Sequence, residues 1–125
     1  MQDLLNEYQT IGVDKVKVWV KAGTVDDFPT NGGACIKYKK KQIAVFNFTT
    51  MSRWYACQNL CPHKMEMVIS RGMIGDKDQI PKVACPLHKK TFSLENGTNM
   101  EGEDYKLATY PVRIADGAVF VGFSE

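Results

Sequence analysis

The sequence predicts a mostly β domain with antiparallel strands, and two observations support this fold class. Short segments that alternate polar and apolar residues, such as residues 15–20, recur along the chain between turn signals. The dipeptide Asp116-Gly117 separates two apolar segments, which is a strong signal for a two-residue hairpin. The chain has 125 residues, of which 44% are hydrophobic and 24% are charged. This is enough for one domain with a hydrophobic core, and we expect a single domain over residues 1–125.

The predicted elements follow one another from the N-terminus. Leu4, Leu5 and Tyr8 are spaced to line one face of a short helix, which we expect to belong to an N-terminal extension, residues 1–14. After the first strand, Thr24 begins a single capped turn. The later predicted elements are a hairpin of residues 34–38 and 42–48 around a lysine turn, strands at residues 54–57, 82–84 and 91–94, and a hairpin of residues 111–115 and 118–122.

Two short motifs contain both histidines of the chain and two of its four cysteines. Residues 61–63 read Cys-Pro-His, and residues 85–88 read Cys-Pro-Leu-His. Each motif fits one tight loop, and the proline after each cysteine stiffens it. Two such loops can hold a flat cluster of two irons and two sulfides, with thiolates on one iron and imidazoles on the other, which is a Rieske-type centre. The predicted ligands of this 2Fe-2S cluster are Cys61, His63, Cys85 and His88.

Electron transfer is the chemistry that this ligand set indicates. With both irons ferric, the charges of iron, sulfide and thiolate cancel, so reduction leaves one negative charge. Because neutral imidazole donates less charge than thiolate, the electron should settle on the histidine-bound iron. The sequence therefore predicts an electron carrier with no catalytic residue of its own. We expect the cluster-binding loops to form a small subdomain, about residues 57–96, inserted into a β base.

Other interpretations of these residues stay open. Two Cys and two His can hold one structural zinc ion, although zinc sites usually place a Cys pair before a His pair. Either residue type alone is more often a buried packing residue, but four in this order argue against that. The other two cysteines, Cys35 and Cys57, lie in strand-like segments, and we expect both to be buried free thiols.

The composition excludes several classes of protein. No stretch has the length of a membrane span, and the first residues have neither a basic region nor a long apolar segment, so we expect a cytoplasmic protein without membrane contact. The chain has no Gly-rich dinucleotide fingerprint and too few cysteines for a second cluster. The net charge is only +2, and no nucleic-acid partner is expected.

Longer stretches around both motifs resemble the small subunit of assimilatory NAD(P)H nitrite reductase. The strongest likeness is in residues 61–64, in residues 70–76 with the sequence Ser-Arg-Gly-Met-Ile-Gly-Asp, and in residues 81–97 around the second motif. Shorter similar phrases are Trp19-Val20, Asn31-Gly32-Gly33, residues 43–47 and residues 109–112. The resemblance covers about residues 16–123.

This resemblance implies a Rieske-like antiparallel β-sandwich or barrel with a small inserted cluster-binding subdomain. It also implies a partner, because the large subunit of that family carries FAD, a 4Fe-4S cluster and sirohaem and reduces nitrite to ammonia with electrons from NAD(P)H. The chain would then be an oxidoreductase subunit without a complete active site. The alternatives are a free Rieske ferredoxin that delivers electrons to an oxygenase and a domain whose cluster serves structure alone.

The residues after the ligand histidines separate this chain from other Rieske branches. High-potential respiratory members have an extra cysteine in each loop and a serine after the second histidine, whereas ferredoxins of aromatic-ring dioxygenases often have Gly-Trp there. This chain has Lys64 in the first loop and Lys89-Lys90 in the second. We therefore expect a positively charged tip, which is either a solvated lysine-rich loop or a docking surface that meets an acidic patch on the partner.

Overall fold

A computed structural model describes residues 5, 7–49, 52–87 and 89–125. In these residues the protein is mostly β, as predicted, and its helical segments are short 3-10 turns at Val13–Lys15, Val25–Asp27 and Ile69–Arg71. The strands of the described residues are β1 (Val18–Thr24), β2 (Gly32–Tyr38), β3 (Lys41–Phe48), β4 (Arg53–Gln58), β5 (Leu60–Cys61), β6 (Glu66–Met67), β7 (Met73–Lys77), β8 (Ile80–Ala84), β9 (Thr91–Ser93), β10 (Thr109–Tyr110), β11 (Val112–Ala115) and β12 (Ala118–Phe123).

In the described residues the strands form antiparallel sheets of two to four strands. Two sheets have the strand orders β1-β12-β11 and β10-β4-β3-β2. The sheets β5-β6 and β7-β8-β9 contain the strands that flank the two Cys-Pro motifs. Within the described part of the chain, no helix has the length and apolar character of a membrane span.

Strand β3 is buried on both faces and joins two hydrophobic cores. Ile43 and Val45 face the first core, which includes residues of β12, whereas Ala44 and Phe46 face the second core, which includes Phe92 of β9. Double burial explains why the sequence of β3 is a continuous apolar run rather than an alternating one. The second core also contains Cys57, Cys61 and Cys85. The base of both motif loops is therefore packed directly against β3 and its neighbours.

The turns predicted from the sequence are confirmed. The β11–β12 hairpin turns at Asp116 and Gly117, whose φ angles of 51° and 74° are the two positive values that a type I′ turn requires. The β2–β3 hairpin turns in the lysine run, where Tyr38 pairs with Lys41. The backbone N–H of Thr24 donates a 2.8 Å hydrogen bond to Asp27, which closes the predicted capped turn.

The structure corrects three expectations. The first strand begins at Val18 instead of residue 15, because residues 13–15 form a 3-10 turn. Strand β7 was not predicted, and it pairs with β8 through a turn at Asp78 and Gln79, which have φ angles of 52° and 69° without a glycine. Cys35 is exposed on edge strand β2, whereas Cys57 is buried as expected, and neither forms a disulfide.

The segment before β1 packs onto the base of the domain. Leu4 and Asn6 lie outside the described residues, and the predicted N-terminal helix falls there in part. Tyr8 is 6% exposed and belongs to the first core. Ile11 donates a 2.9 Å backbone hydrogen bond to the carbonyl of Thr109, so this segment runs beside β10.

Candidate metal centre

The first motif forms a tight loop that turns back toward its cysteine. Cys61 ends β5 and is fully buried. Its carbonyl accepts a 2.6 Å hydrogen bond from the N–H of Met65, which has a φ of 58°. The Cys61 sulfur also accepts hydrogen bonds from the backbone N–H groups of Lys64 and His63. The loop therefore directs two N–H dipoles at the sulfur, an arrangement that favours a negatively charged thiolate.

The second motif forms a loop of the same construction. Cys85 follows β8 and is 1% exposed. Its carbonyl accepts a 2.8 Å hydrogen bond from the N–H of Lys89, which has a φ of 57°, and its own N–H donates to the carbonyl of Lys90 at 2.8 Å. In both loops the cysteine carbonyl thus accepts a hydrogen bond from the N–H of the residue four positions later. That residue has a left-handed backbone conformation.

The two loops bring the predicted cysteine ligands together. The thiols of Cys61 and Cys85 lie within hydrogen-bonding reach of each other. Burial, helped by the adjacent Cys85, raises the pKa of the Cys61 thiol above its ordinary value of 9.0, although the N–H groups of Lys64 and His63 oppose this shift. Without a metal, this shift favours the protonated thiol of Cys61. Two adjacent buried sulfurs, one of them facing N–H donors, fit a site where a metal replaces thiol protons.

Of the two motif histidines, the structure describes His63 but not His88. His63 is partly buried, its Nδ1 is inaccessible to solvent, and its ring stacks on Tyr105 with centroids 5.5 Å apart. His88 lies outside the described residues, so its place beside Cys85 stays a prediction. Among the described Cys, His, Asp and Glu side chains, no three are grouped closely enough to hold a metal ion.

Two buried amide side chains, which the sequence reasoning missed, hold the base of the first loop. Gln58 is 2% exposed; its Oε1 accepts from the N–H of Ala108 at 2.8 Å, and its Nε2 donates to the carbonyl of Leu60 at 2.7 Å. Asn59 is also 2% exposed, and its Oδ1 accepts from the N–H of Ser70 at 2.7 Å. The available signal in the sequence was a pair of consecutive amides where β4 ends, one residue before the first motif.

The lysines near the loops are not equivalent. Lys64 and Lys89 are exposed, whereas Lys90 forms a 2.6 Å ion pair with Glu103. This contact raises the pKa of Lys90 and lowers that of Glu103. The expected positive tip therefore contains Lys64 and Lys89, but the charge of Lys90 is neutralised. Two exposed apolar side chains also lie beside the second loop: Met73, which pairs with Ala84, is 78% exposed, and Leu87 is 44% exposed.

Comparison with known proteins places these features in a family. Residues 18–122 match the family described as Rieske-like [2Fe-2S] domain. The nitrite reductase (NADH) small subunit of Escherichia coli strain K12 is 32% identical over 101 residues, which cover 81% of this chain and 94% of that protein. The NMR structure of the E. coli protein NirD is similar with a TM-score of 0.77 at 30% identity, covering 86% of this chain and 98% of that one.

Two further relatives are a dioxygenase ferredoxin subunit and a much longer protein. The ferredoxin subunit of 3-phenylpropionate/cinnamic acid dioxygenase from Photorhabdus laumondii is 32% identical over 82% of this chain and 91% of that protein. A Klebsiella oxytoca protein named nitrite reductase large subunit is 33% identical over 104 residues, and the match spans only 11% of its length. This chain belongs to the Rieske-like 2Fe-2S domain family, and within it to the nitrite reductase small subunits.

Proposed function

We propose that this protein is the electron-transferring small subunit of an NAD(P)H-dependent nitrite reductase. Its four proposed cluster ligands are Cys61, His63, Cys85 and His88. The observation that carries the proposal is the contact between the two buried thiols on loops of the same construction, in a chain of this family. Residues 57–96 are the proposed cluster-binding subdomain, and residues 1–14 the proposed N-terminal extension.

The residues of the loops prepare the site for a change of charge. When bound, a 2Fe-2S cluster supplies one-electron transfer. The thiolates of Cys61 and Cys85 would hold one iron, and the imidazoles of His63 and His88 would hold the other. The N–H groups that face the Cys61 sulfur stabilise negative charge there. Because backbone hydrogen bonds close each loop at its cysteine, the cysteine ligands would move little when the charge changes, and the reorganisation cost would stay small.

The partner in this proposal is a large subunit that reduces nitrite to ammonia. Support comes from the K. oxytoca relative, in which a similar segment is part of the chain named large subunit. A domain that occurs both fused to a large chain and as a separate small subunit is expected to act on the same catalytic parts. We expect the exposed side chains around the loops, Met73, Leu87, Lys64 and Lys89, to face that partner. A cytoplasmic location belongs to the same proposal, and cysteines without disulfides agree with it.

A free ferredoxin that serves an oxygenase is the second candidate, favoured by the similarity to the P. laumondii ferredoxin subunit. The two functions differ in the protein that accepts the electrons. The reduced protein should be oxidised by a nitrite reductase large subunit in the presence of nitrite, and it should not support turnover of a Rieske oxygenase. The opposite result would assign it to the oxygenase systems.

Metal analysis and electron paramagnetic resonance test the cluster assignment. The purified protein should contain two irons and two acid-labile sulfides, as its proposed 2Fe-2S cluster requires, with little zinc. The dithionite-reduced form should have a lower average g value than a four-cysteine cluster. Cys85→Ser and His88→Ala should lose the spectrum, whereas Cys35→Ser, at an exposed cysteine outside the loops, should keep it. Stoichiometric zinc in protein made with ample iron would contradict the proposal.

A further inference from the structure

Tyr105 lies outside both ligand loops, yet its ring is held against His63. The two ring planes are 29° apart, with centroids separated by 5.5 Å. The ring of Phe92 lies 6.1 Å from Tyr105 and belongs to the second core, against which Tyr105 is packed. The hydroxyl oxygen of Tyr105 is buried. The tyrosine ring therefore bridges the imidazole of His63 and the core under the loops.

The segment that carries Tyr105 is anchored to β9. Asn99 pairs with Phe92, and its Oδ1 accepts hydrogen bonds from the N–H groups of Glu101 and Glu103 at 2.9 and 3.0 Å. The carboxylate of Glu101 in turn accepts from the N–H of Thr91 at 3.1 Å. These contacts fix the backbone of residues 99–103 relative to the strand that follows the second ligand loop.

The same segment also contacts the second loop. The Lys90–Glu103 ion pair, at 2.6 Å, joins the end of that loop to a position two residues before Tyr105. An exposed ion pair adds little stability by itself. Here the ion pair fixes the position of the segment, which is held to the second loop by Glu103 and to the first loop by Tyr105. Residues 99–105 therefore brace both loops, and we call them the brace.

We propose that Tyr105 is a positioning residue for the ligand His63. This inference rests on the proposed function, since it takes His63 to be a cluster ligand. The stacked ring restricts rotation of the imidazole and covers one of its faces. It also keeps water from that face, and water would stabilise the negative charge that the site gains on reduction. Removing the ring should therefore raise the reduction potential and loosen the geometry of the histidine-bound iron.

Three variants of the holoprotein and one control test this proposal. Tyr105→Ala removes the ring, Tyr105→Leu keeps apolar cover without an aromatic face, and Tyr105→Phe keeps the ring without the hydroxyl. The control is Tyr55→Ala, because Tyr55 is also partly buried, packs against the second core and contacts a different ring, that of Phe48, at 5.4 Å. The readouts are reduction potential by protein-film voltammetry, g values and the half-life of the visible spectrum.

We expect Tyr105→Ala to show a raised reduction potential, shifted g values and a shortened half-life of the cluster. Tyr105→Phe should match the wild type, and Tyr55→Ala should leave the potential and the g values unchanged. If Tyr105→Ala loses the cluster completely, a Tyr105→Leu protein with altered g values and an intact Tyr105→Phe protein still support the proposal.

Three results overturn the proposal in distinguishable ways. If the wild type holds the cluster and Tyr105→Ala keeps its potential and g values, this inference fails while the proposed function stands. If Tyr105→Phe behaves as Tyr105→Ala does, the hydroxyl and not the ring is responsible, which also contradicts it. A wild-type protein that holds zinc instead of a 2Fe-2S cluster removes both the inference and the proposed function.

Discussion

The side chain of Asn59 ties the base of the first ligand loop to Ser70, whose N–H donates a 2.7 Å hydrogen bond to Asn59 Oδ1. The amide nitrogen of Asn59 also donates to Gln42 Oε1 at 3.1 Å. Asn59→Ala would leave the partly buried N–H of Ser70 without its acceptor, which costs about 1–3 kcal/mol. We expect the free energy of unfolding to fall by about that amount, measured by urea titration. The cluster should also be lost faster, because Cys61 lies only two residues later.

The control for this variant is Asn96→Ala. Asn96 is exposed, and its side-chain oxygen accepts hydrogen bonds from the N–H and the hydroxyl of Thr98. Its replacement should change the free energy of unfolding by less than about 1 kcal/mol. Equal effects of the two variants would show that the contact between Asn59 and Ser70 does not stabilise the loop.

Gly72 is required by a close approach between the turn at Ile69–Arg71 and strand β8. A Cβ on Gly72 would lie 2.4 Å from the carbonyl oxygen of Ala84 and 2.7 Å from a methyl group of Val83. The oxygen belongs to backbone directly before Cys85, so relief of the clash would displace the second loop. Gly72→Ala should destabilise the protein by about 1–3 kcal/mol and weaken iron retention.

The matched control is Gly117→Ala in the β11–β12 turn, because a Cβ at Gly117 meets no atom within 4 Å. Gly117 has a φ of 74°, so alanine there carries backbone strain without a clash. Urea titration and iron analysis separate the two causes. Gly72→Ala should reduce both the stability and the iron content, and Gly117→Ala the stability alone. Full iron retention in Gly72→Ala would contradict the argument.

The features that the sequence predicted correctly depend on local chemistry. The turn at Asp116 and Gly117 needs only residues that tolerate positive φ, and the Cys-Pro motifs form loops because of their own residues. The turn at Asp78 and Gln79 uses the same backbone conformation with residues that signal it less clearly, so β7 was missed.

Contacts between distant segments could not be predicted from local patterns. Tyr105 meets His63, and Gln58 meets Ala108, only after the chain has folded, because the members of each pair are far apart in the sequence. The exposure of Cys35 follows from the place of β2 at the edge of its sheet, a property of the strand order. The proposed ligands could be predicted from two short motifs, whereas the residues that contact the ligand loops are brought there by the tertiary fold.

Stability should fall at high pH because of the buried thiol of Cys57. Burial raises the pKa of this thiol above its ordinary value of 9.0. Above pH 9 the unfolded chain releases this proton and the folded chain keeps it, so the folded state binds more protons and loses stability as the pH rises. The contribution is fully present below pH 9 and declines above it by about 1.4 kcal/mol per pH unit.

The measurement is the free energy of unfolding between about pH 8 and pH 10. Cys57→Ala should flatten the decline above pH 9 and lower the stability at neutral pH through lost packing. Cys35→Ala should alter the slope less, because Cys35 is exposed and only partial burial raises its pKa. An identical slope in the wild type and Cys57→Ala would show that other groups, such as the buried Tyr110, cause the decline.

The last prediction concerns the exposed lysines beside the ligand loops. If the loops face an acidic patch on the large subunit, Lys64 and Lys89 speed association by long-range attraction more than they deepen affinity. The double variant Lys64→Glu, Lys89→Glu should slow the on-rate at low salt and weaken its dependence on ionic strength. Lys90 is left unchanged because Glu103 already neutralises it.

The control reverses the same charge on another surface. Lys39 and Lys40 are exposed in the β2–β3 turn, and the φ of Lys39, 55°, is close to the 57° of Lys89. Lys39→Glu, Lys40→Glu therefore matches the first variant in net charge and in backbone strain. Stopped-flow association across ionic strengths compares the two. Because only charges near the contact steer the encounter strongly, the loop variant should lose most of its on-rate and the turn variant little. Equal losses would show that net charge, and not the ligand-loop surface, guides binding.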